Sequence, residues 1–435
     1  MGDAAQGEVA GPAAHPPELQ QFLLYLGSAL TAAGEAVNEI QDHLVVVAAA
    51  YGAPDARFAV LPTFVVVSLE PSTPVTLEPT PQLRGVLRLD QTSALFDVLK
   101  LARVGAVDPG DGWRQIHEIV QMRPRFNAPT RLVGHVVLTV GLCLVLQPTG
   151  ADLLLAAAFG AIVGAIKEVG GRWVRFQMVM PVIAAFVVSA TTFALANRGW
   201  AEADLRAMIA PLVTFLPGAA LTTAVIELSA AQLVTGASRL VAGSLQLMLL
   251  AFGIVAAAEA AGVPTTESLV NAPENLLGWW APWLGVVVFG VGVSVFNSAP
   301  RGSFPWLFLV LLVTWMGQFF GSVAFGGYAS GFFGALVMVP AARLVERMPK
   351  GPPSLVAFLP AFWLLVPGAL GLIGVTEYLS ADTTAGLQDF VGALAAILAI
   401  ALGVLCGYPI VGSVSYAVRR AKTLPVPWIE PQEHP

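Results

Sequence analysis

The chain has 435 residues, of which 56% are hydrophobic and only 11% charged, with a mean hydropathy of +0.74. An ordinary soluble domain carries about 25% charged residues, so a soluble multidomain enzyme is excluded: it could not hide this much apolar surface. Residues 1–130 hold 8 Lys/Arg against 14 Asp/Glu and the remainder 14 against 14, leaving no basic patch for nucleic acid.

Residues 1–17 are small, polar and Pro-containing, without the basic and apolar regions of a signal peptide; a disordered cytoplasmic tail is expected. Residues 18–128 read as a small α+β cytoplasmic domain. Glu18–Tyr51 suits one long helix or two, with Gly27 and Gly34 as interruptions. Arg57–Leu69 is rich in β-branched and aromatic residues and predicts a strand bent at Pro62, with Val75–Leu89 as hairpin partner. Two short helices follow, one from Thr92 or Ser93 to before Gly105, the other capped by Asp111 and carrying Trp113, Ile116 and Ile119. Ser28, His43, Ser93, Asp97 and His117 show no triad spacing and read as solvated surface residues.

From Arg131 onward, long apolar runs alternate with short polar breaks. Each run approaches the roughly 20 residues that span a bilayer. Ten spans are predicted near 131–147, 151–168, 176–196, 207–233, 240–262, 277–298, 304–320, 323–343, 354–376 and 387–413, with a cytoplasmic tail over 419–435. If the front domain lies on one side, that side collects fourteen basic residues from Arg123 onward, and the other receives only Arg198 and Arg206. Positive charge accumulates on the cytoplasmic side, so both termini are expected there. Cys143 and Cys406 sit in apolar runs and read as small buried hydrophobes, with no disulfide framework and no metal site.

Ten spans divide into 131–262 and 277–413, and because five is odd, the halves must lie in opposite orientations. Leu216-Pro217-Gly218-Ala219 recurs as Val366-Pro367-Gly368-Ala369 at an offset of 150, with Val225 and Glu227 matching Val375 and Glu377. At an offset of 151, Gly134, Val136, Val137, Val140 and Gly141 align with Gly285, Val287, Val288, Val291 and Gly292. Inverted repeats with a Pro/Gly-interrupted helix in each half are the pattern of secondary transporters. Pro removes a backbone donor and weakens the helix, and the freed groups are tolerable only where they line a cavity or are buried in protein. Such a cavity suits a zwitterion, with amides facing a carboxylate and carbonyls facing an ammonium group. The expected substrate-binding residues are Pro217, Gly218, Thr222, Thr223, Pro367, Gly368 and Thr376.

Ionisable residues inside a span usually mark a pathway, which selects Glu227 and its repeat mate Glu377 for proton coupling. The alternative for Glu227 is pairing with Arg239, and for Glu377 solvation at the outer rim. His135 reads as interfacial rather than as a relay. Thr191, Thr192, Asn297, Thr314 and Gln318 suit either a hydrophilic cavity or interhelical hydrogen bonds. HExxH, GxxxxGK[ST] and GxSxG are absent, so no catalytic residue and no cofactor are expected. An ion gradient is left as the driving force.

Several runs together resemble one family. Leu26-Gly-Ser-Ala-Leu-Thr-Ala-Ala-Gly-Glu-Ala-Val37, Phe64-Val-Val-Val-Ser68, Leu89-Asp-Gln-Thr-Ser-Ala-Leu-Phe-Asp97 and Ala106-Val-Asp-Pro-Gly-Asp-Gly-Trp113 resemble the front domain of the threonine/serine exporter (ThrE) family. Phe215-Leu-Pro-Gly-Ala-Ala-Leu221 with Glu227 and Gly236-Ala-Ser-Arg-Leu240 resembles its first membrane half, and Val366-Pro-Gly-Ala-Leu370 its second. The resemblance implies export of threonine and serine across a bacterial cell membrane, driven by the proton-motive force, with substrate, protons and the lipid bilayer as partners. Two-chain relatives associated with dicarboxylate export keep other small carboxylates open, and the oligomeric state, including a homo-oligomer, also stays open. An Asp is frequent in that family where Glu227 stands. A rival of another class is an intramembrane enzyme or a membrane sensor acting through the front domain. That domain is expected to gate the inner mouth, or only to aid folding or oligomerisation.

Overall fold

The computed structural model describes residues 17–69, 86–146, 148–171, 173–199, 205–262, 277–365, 391–392 and 394–410. The chain divides into two units, Met1–Arg123 and Pro124–Pro435.

In the first unit, α1 (Pro17–Ala33) buries Leu19, Phe22, Leu23, Leu26 and Leu30, the stripe that helical spacing of three and four produces. Gly34 has φ +90°, a conformation that favours glycine, and divides α1 from α2 (Val37–Ala50). Gly27 remains inside α1 and permits close approach: a Cβ there would lie 3.1 Å from Val65 and 3.2 Å from Leu44.

The strand reading needs correction. Arg57–Leu69 is not one bent strand but a hairpin of β1 (Arg57–Leu61) and β2 (Phe64–Ser68), antiparallel, with Leu61 opposite Phe64. Pro62 lacks a donor and presets φ, which suits a two-residue turn better than a strand interior. Residues 75–85 of the expected partner lie outside the described residues. Val86–Arg88 lead into α3 (Leu89–Ala102), which begins earlier than expected. Buried Gln91 explains the early start. Its Oε1 accepts from the Arg88 N–H at 3.0 Å, and its Nε2 donates to the carbonyls of Ile119 and Val120, both at 2.9 Å. One side chain thus caps α3 and ties it to the end of α4 (Pro109–Gln121). The cap of α4 is Asp108, not Asp111; its carboxylate accepts from the N–H groups of Gly110 and Asp111, with Pro109 in the first turn.

The second unit contains α5 (Ala128–Val145), α6 (Gly150–Gly170), α7 (Val174–Ala196), α8 (Leu205–Leu212), α9 (Gly218–Ser229), α10 (Leu233–Ala261), α11 (Ala281–Phe296), α12 (Phe304–Phe325), α13 (Gly327–Glu346), α14 (Ser354–Leu365) and α15 (Leu394–Ile410). Among the described residues, six helices are long and apolar enough to cross a membrane: α5, α6, α7, α10, α12 and α13. The bent pair α8–α9 makes a seventh when counted as one span, and α11, α14 and α15 are apolar but shorter. The chain is a multi-pass helical membrane protein. Of the two cysteines, Cys143 is buried but Cys406 is exposed, against the expectation for it.

Glycine sets how closely these helices pack. A Cβ at Gly134 would stand 2.7 Å from the Phe296 nitrogen, and one at Gly285 2.8 Å from the Val145 nitrogen. Gly141 lies against the backbone of Phe289, and Gly292 against that of Leu138. Moving each contact by 151 residues and exchanging the helices turns the first into the second and the third into the fourth, so α5 and α11 meet through equivalent faces. A second pair behaves likewise at an offset of 150. Gly253 of α10 packs on Val182, Ala185 and Phe186 of α7, and Gly403 of α15 packs on Phe332, Ala335 and Leu336 of α13; a Cβ at either glycine would come within 2.9 Å of the alanine methyl. Without an aqueous phase to drive helices together, such backbone approach is what holds membrane helices.

Gly141→Val and Gly292→Val should therefore destabilise the protein to a similar extent, each by about 1–3 kcal/mol or more from overpacking. Gly150→Ala, where a Cβ meets nothing within 4 Å, should stay within about 0.5 kcal/mol. Thermal unfolding of the detergent-solubilised variants reads both, and unequal losses at Gly141 and Gly292 would contradict the equivalence of the two faces.

Candidate functional site

The site is built around an interrupted helix. Pro217 carries no N–H and disfavours helical geometry at the residue before it. Accordingly α8 ends at Leu212, Val213–Phe215 tighten into a 3₁₀ turn, and Leu216 is extended at φ −69°, ψ 128°. The chain resumes as α9 at Gly218, with the helix direction changed by 51°. Pro217 thus interrupts its span.

The break leaves backbone groups without helical partners, and other helices supply them. Lys167 of α6 donates to the Thr214 carbonyl at 3.2 Å, and Gln246 of α10 donates to the Phe215 carbonyl at 2.5 Å. The Lys167 ammonium also stands over the Phe215 ring at 4.6 Å and the Phe296 ring at 5.4 Å, the arrangement in which a ring face attracts a cation. His135 of α5 completes the group. Its Nδ1 lies 2.8 Å from the Gly160 carbonyl, which can only accept, so Nδ1 carries the proton. Nε2 then accepts from the Thr214 hydroxyl at 3.3 Å. His135 is fully buried, its ring edge-on to that of Phe296, where α5 and α6 meet. The first turn of α9 has no side-chain cap, so its N–H groups point toward the break as donors.

Of the residues expected to bind substrate, Pro217 and Gly218 form the break. Thr222 and Thr223 follow one turn into α9. Thr222 is buried, and its hydroxyl has no hydrogen-bond partner among the described residues; Thr223 is half-buried. Glu227 is fully buried and ion-paired with Arg239 of α10, whose Nε lies 3.1 Å from a carboxylate oxygen. Ten residues of α9 separate Glu227 from Pro217, roughly 15 Å of helix, so the ion pair forms a second station along α9. Pro367, Gly368, Thr376 and Glu377 lie outside the described residues. Thr191, Thr192 and Thr314 each donate the hydroxyl proton to the carbonyl four residues back in their own helix, Val187, Val188 and Val310 respectively.

Lys167, Gln246 and Phe296 were missed by sequence reasoning. Lys167 lies near the end of its apolar run, where a lysine suits the cytoplasmic surface equally well. Gln246 carried a usable signal, a lone amide in an otherwise apolar stretch. In the first unit, Glu35, Glu39 and His43 present ligand atoms within 4.8 Å of one another, a geometry able to hold a metal ion. Positive charge is already supplied there: Arg103, which can only donate, lies 2.6 Å from His43 Nδ1. His43 is buried by this network, not solvated on the surface as expected.

Residues 21–260 match the family described as "Putative threonine/serine exporter", ThrE. The chain is also similar to the pheromone-regulated membrane protein 10 of Zygosaccharomyces rouxii, at 23% identity over 411 residues. That match covers 90% of this chain but only 41% of the relative, so the chain spans about two fifths of that protein's length. No solved structure matches the chain. The family match takes in more than half of the sequence, from the helix that packs on the hairpin through the broken α8–α9 pair to α10, and on that extent the chain belongs to the ThrE family.

Proposed function

We propose that the protein exports threonine and serine from the cytoplasm in exchange for protons, through ten spans arranged as two inverted halves of five with both termini cytoplasmic. The observation that carries this reading is the break at Leu216–Pro217, where Lys167 and Gln246 meet freed carbonyls and His135 meets the Thr214 hydroxyl, from three other helices. A hydroxy amino acid matches that inventory. Its carboxylate suits the Lys167 ammonium and the uncapped N–H groups of α9. Its ammonium suits the second lone pairs of the Thr214 and Phe215 carbonyls, and its hydroxyl suits Thr222. Pro217, Gly218 and Thr223 shape the same surface. The inverted arrangement draws support from the glycine contacts that recur at offsets of 151 and 150, and the sidedness from the twelve-to-two distribution of basic residues that remains once Lys167 and Arg239 are assigned to the bundle interior.

Glu227 is the coupling group in this reading. Protonation neutralises the carboxylate and removes its attraction for Arg239, freeing α9 from α10; loss of the proton restores the pair. Glu377, Pro367, Gly368 and Thr376 take the corresponding roles in the second half. The Lys167 cation equally favours other small carboxylates, and competition by dicarboxylates in the efflux assay separates the two substrate readings.

The test is efflux of preloaded labelled threonine from proteoliposomes, with and without an imposed pH gradient. Glu227→Gln should reduce gradient-driven efflux about tenfold or more while threonine exchange at equal pH persists. Efflux unchanged in this variant would remove Glu227 from coupling, and absence of threonine flux in folded wild-type protein would overturn the amino-acid reading.

Two structural predictions accompany it. Arg239→Met removes the ion-pair partner of a buried carboxylate and should lower stability by about 3–5 kcal/mol, and adding Glu227→Gln should restore most of that loss. Thermal unfolding of the single and double variants measures the coupling. Lys167→Met and Gln246→Leu each remove a donor from a freed carbonyl, at about 1–3 kcal/mol in stability. Lys167→Met should also raise the half-saturating threonine concentration about tenfold, the equivalent of about 1.4 kcal/mol of lost carboxylate attraction.

A further inference from the structure

Lys167 holds its charge without an acid. Its ammonium stands 4.6 Å from the centre of the Phe215 ring and 5.4 Å from that of Phe296, and gives one of its three donors to the Thr214 carbonyl. The carboxylate next along α6, Glu168, is engaged by two bonds from Arg131 of α5, one of them 2.9 Å long. Among the described residues no carboxylate pairs with Lys167. A ring face attracts a cation without neutralising it and without occupying an N–H donor. A carboxylate in either ring's place would do both, and would compete with any anionic ligand.

One ring belongs to the break itself and the other is brought by a different helix: Phe215 lies in the 3₁₀ turn before Pro217, and Phe296 is the last residue of α11. Phe296 is fixed from two sides. Gly134 of α5 lets its backbone approach so closely that a Cβ would stand 2.7 Å from the Phe296 nitrogen, and the His135 ring meets its ring at 4.9 Å and 71°. Phe215 and His135 are buried, but Lys167, Thr214 and Phe296 each keep part of their surface accessible. The group around the ammonium is therefore not sealed within the bundle.

We propose that Phe296 is a positioning residue for this site: its ring, held by α5, keeps the Lys167 ammonium at the break with two donors free, and so sets the affinity for the carboxylate that binds there. Phe215 and Thr214 are neighbours in one turn, so Phe296 supplies the attraction that comes from outside it. The inference rests on the exporter reading in one respect, that a small carboxylate is the ligand at Lys167.

The experiment measures binding of labelled threonine, and separately of labelled succinate, to the full chain in nanodiscs by equilibrium dialysis. Mono-, di- and trifluorophenylalanine are incorporated at position 296, because fluorine withdraws charge from the ring face while nearly keeping its shape. The dissociation constant should rise in steps, reaching about fivefold with three fluorines and in Phe296→Leu, while Phe296→Tyr stays within about twofold of the wild type. In a Lys167→Met background the same series should be flat, since the ring acts through the ammonium. If Phe296→Leu fails to fold, the fluorinated series reads the same contact. Unchanged affinity across the series, with wild-type binding intact, would overturn the inference and leave the exporter reading standing. Losses that persist without Lys167 would also overturn it, as an effect of packing alone. A stepwise loss for succinate where threonine does not bind upholds the role of Phe296 and removes the amino-acid reading. Binding of neither ligand to the wild type would overturn both.

Discussion

Two carbonyl oxygens, those of Thr214 and Phe215, must be hydrogen-bonded inside an apolar bundle, and the arrangement of the helices around the break follows from that constraint. In water a broken helix is inexpensive because solvent accepts and donates freely. Within a membrane the same break is tolerated only where protein groups take the place of solvent. Lys167 and Gln246 do so from α6 and α10, while His135 takes the Thr214 hydroxyl from α5. Three helices are thereby registered against a fourth by polar contacts at one level, while apolar packing alone would leave them free to slide.

The second organising feature is steric. Where α5 crosses α11, and α7 crosses α10, glycine removes the side chain that would hold the backbones apart. Backbone contact is unforgiving of substitution, and it fixes distance while leaving the surrounding surfaces free to vary. A transporter that rocks one half against the other needs such fixed hinging surfaces beside a polar site whose contacts can be remade. The α5–α11 crossing supplies the first and the α8–α9 break the second, under the proposed function.

Much was legible in the sequence because the bilayer simplifies the code. A run of apolar residues reports a membrane helix through its length, and Pro217 reports an interruption because its ring has no donor to give. Even the glycine pattern at Gly134, Gly141, Gly285 and Gly292 could be aligned in advance. The front unit was harder. Pro62 within a β-branched run suits a bend as well as the two-residue turn it starts, and Asp111 offers the same capping chemistry as Asp108 three residues before it. Local signals of that kind have near-equal alternatives, and packing chooses between them.

The sequence by itself determined the membrane class and the positions of most apolar helices, and it marked Pro217 as a point of weakness and Glu227 as an acid within a span. Each depends on what one residue or one run can do alone. Only the tertiary structure decided that the helix breaks at Pro217, that Lys167 and Gln246 meet the freed carbonyls, and that Glu227 pairs with Arg239. Those facts depend on which faces of distant helices come together. No local pattern encodes that, because a lone lysine or glutamine in an apolar run satisfies the same composition whichever neighbour it finds.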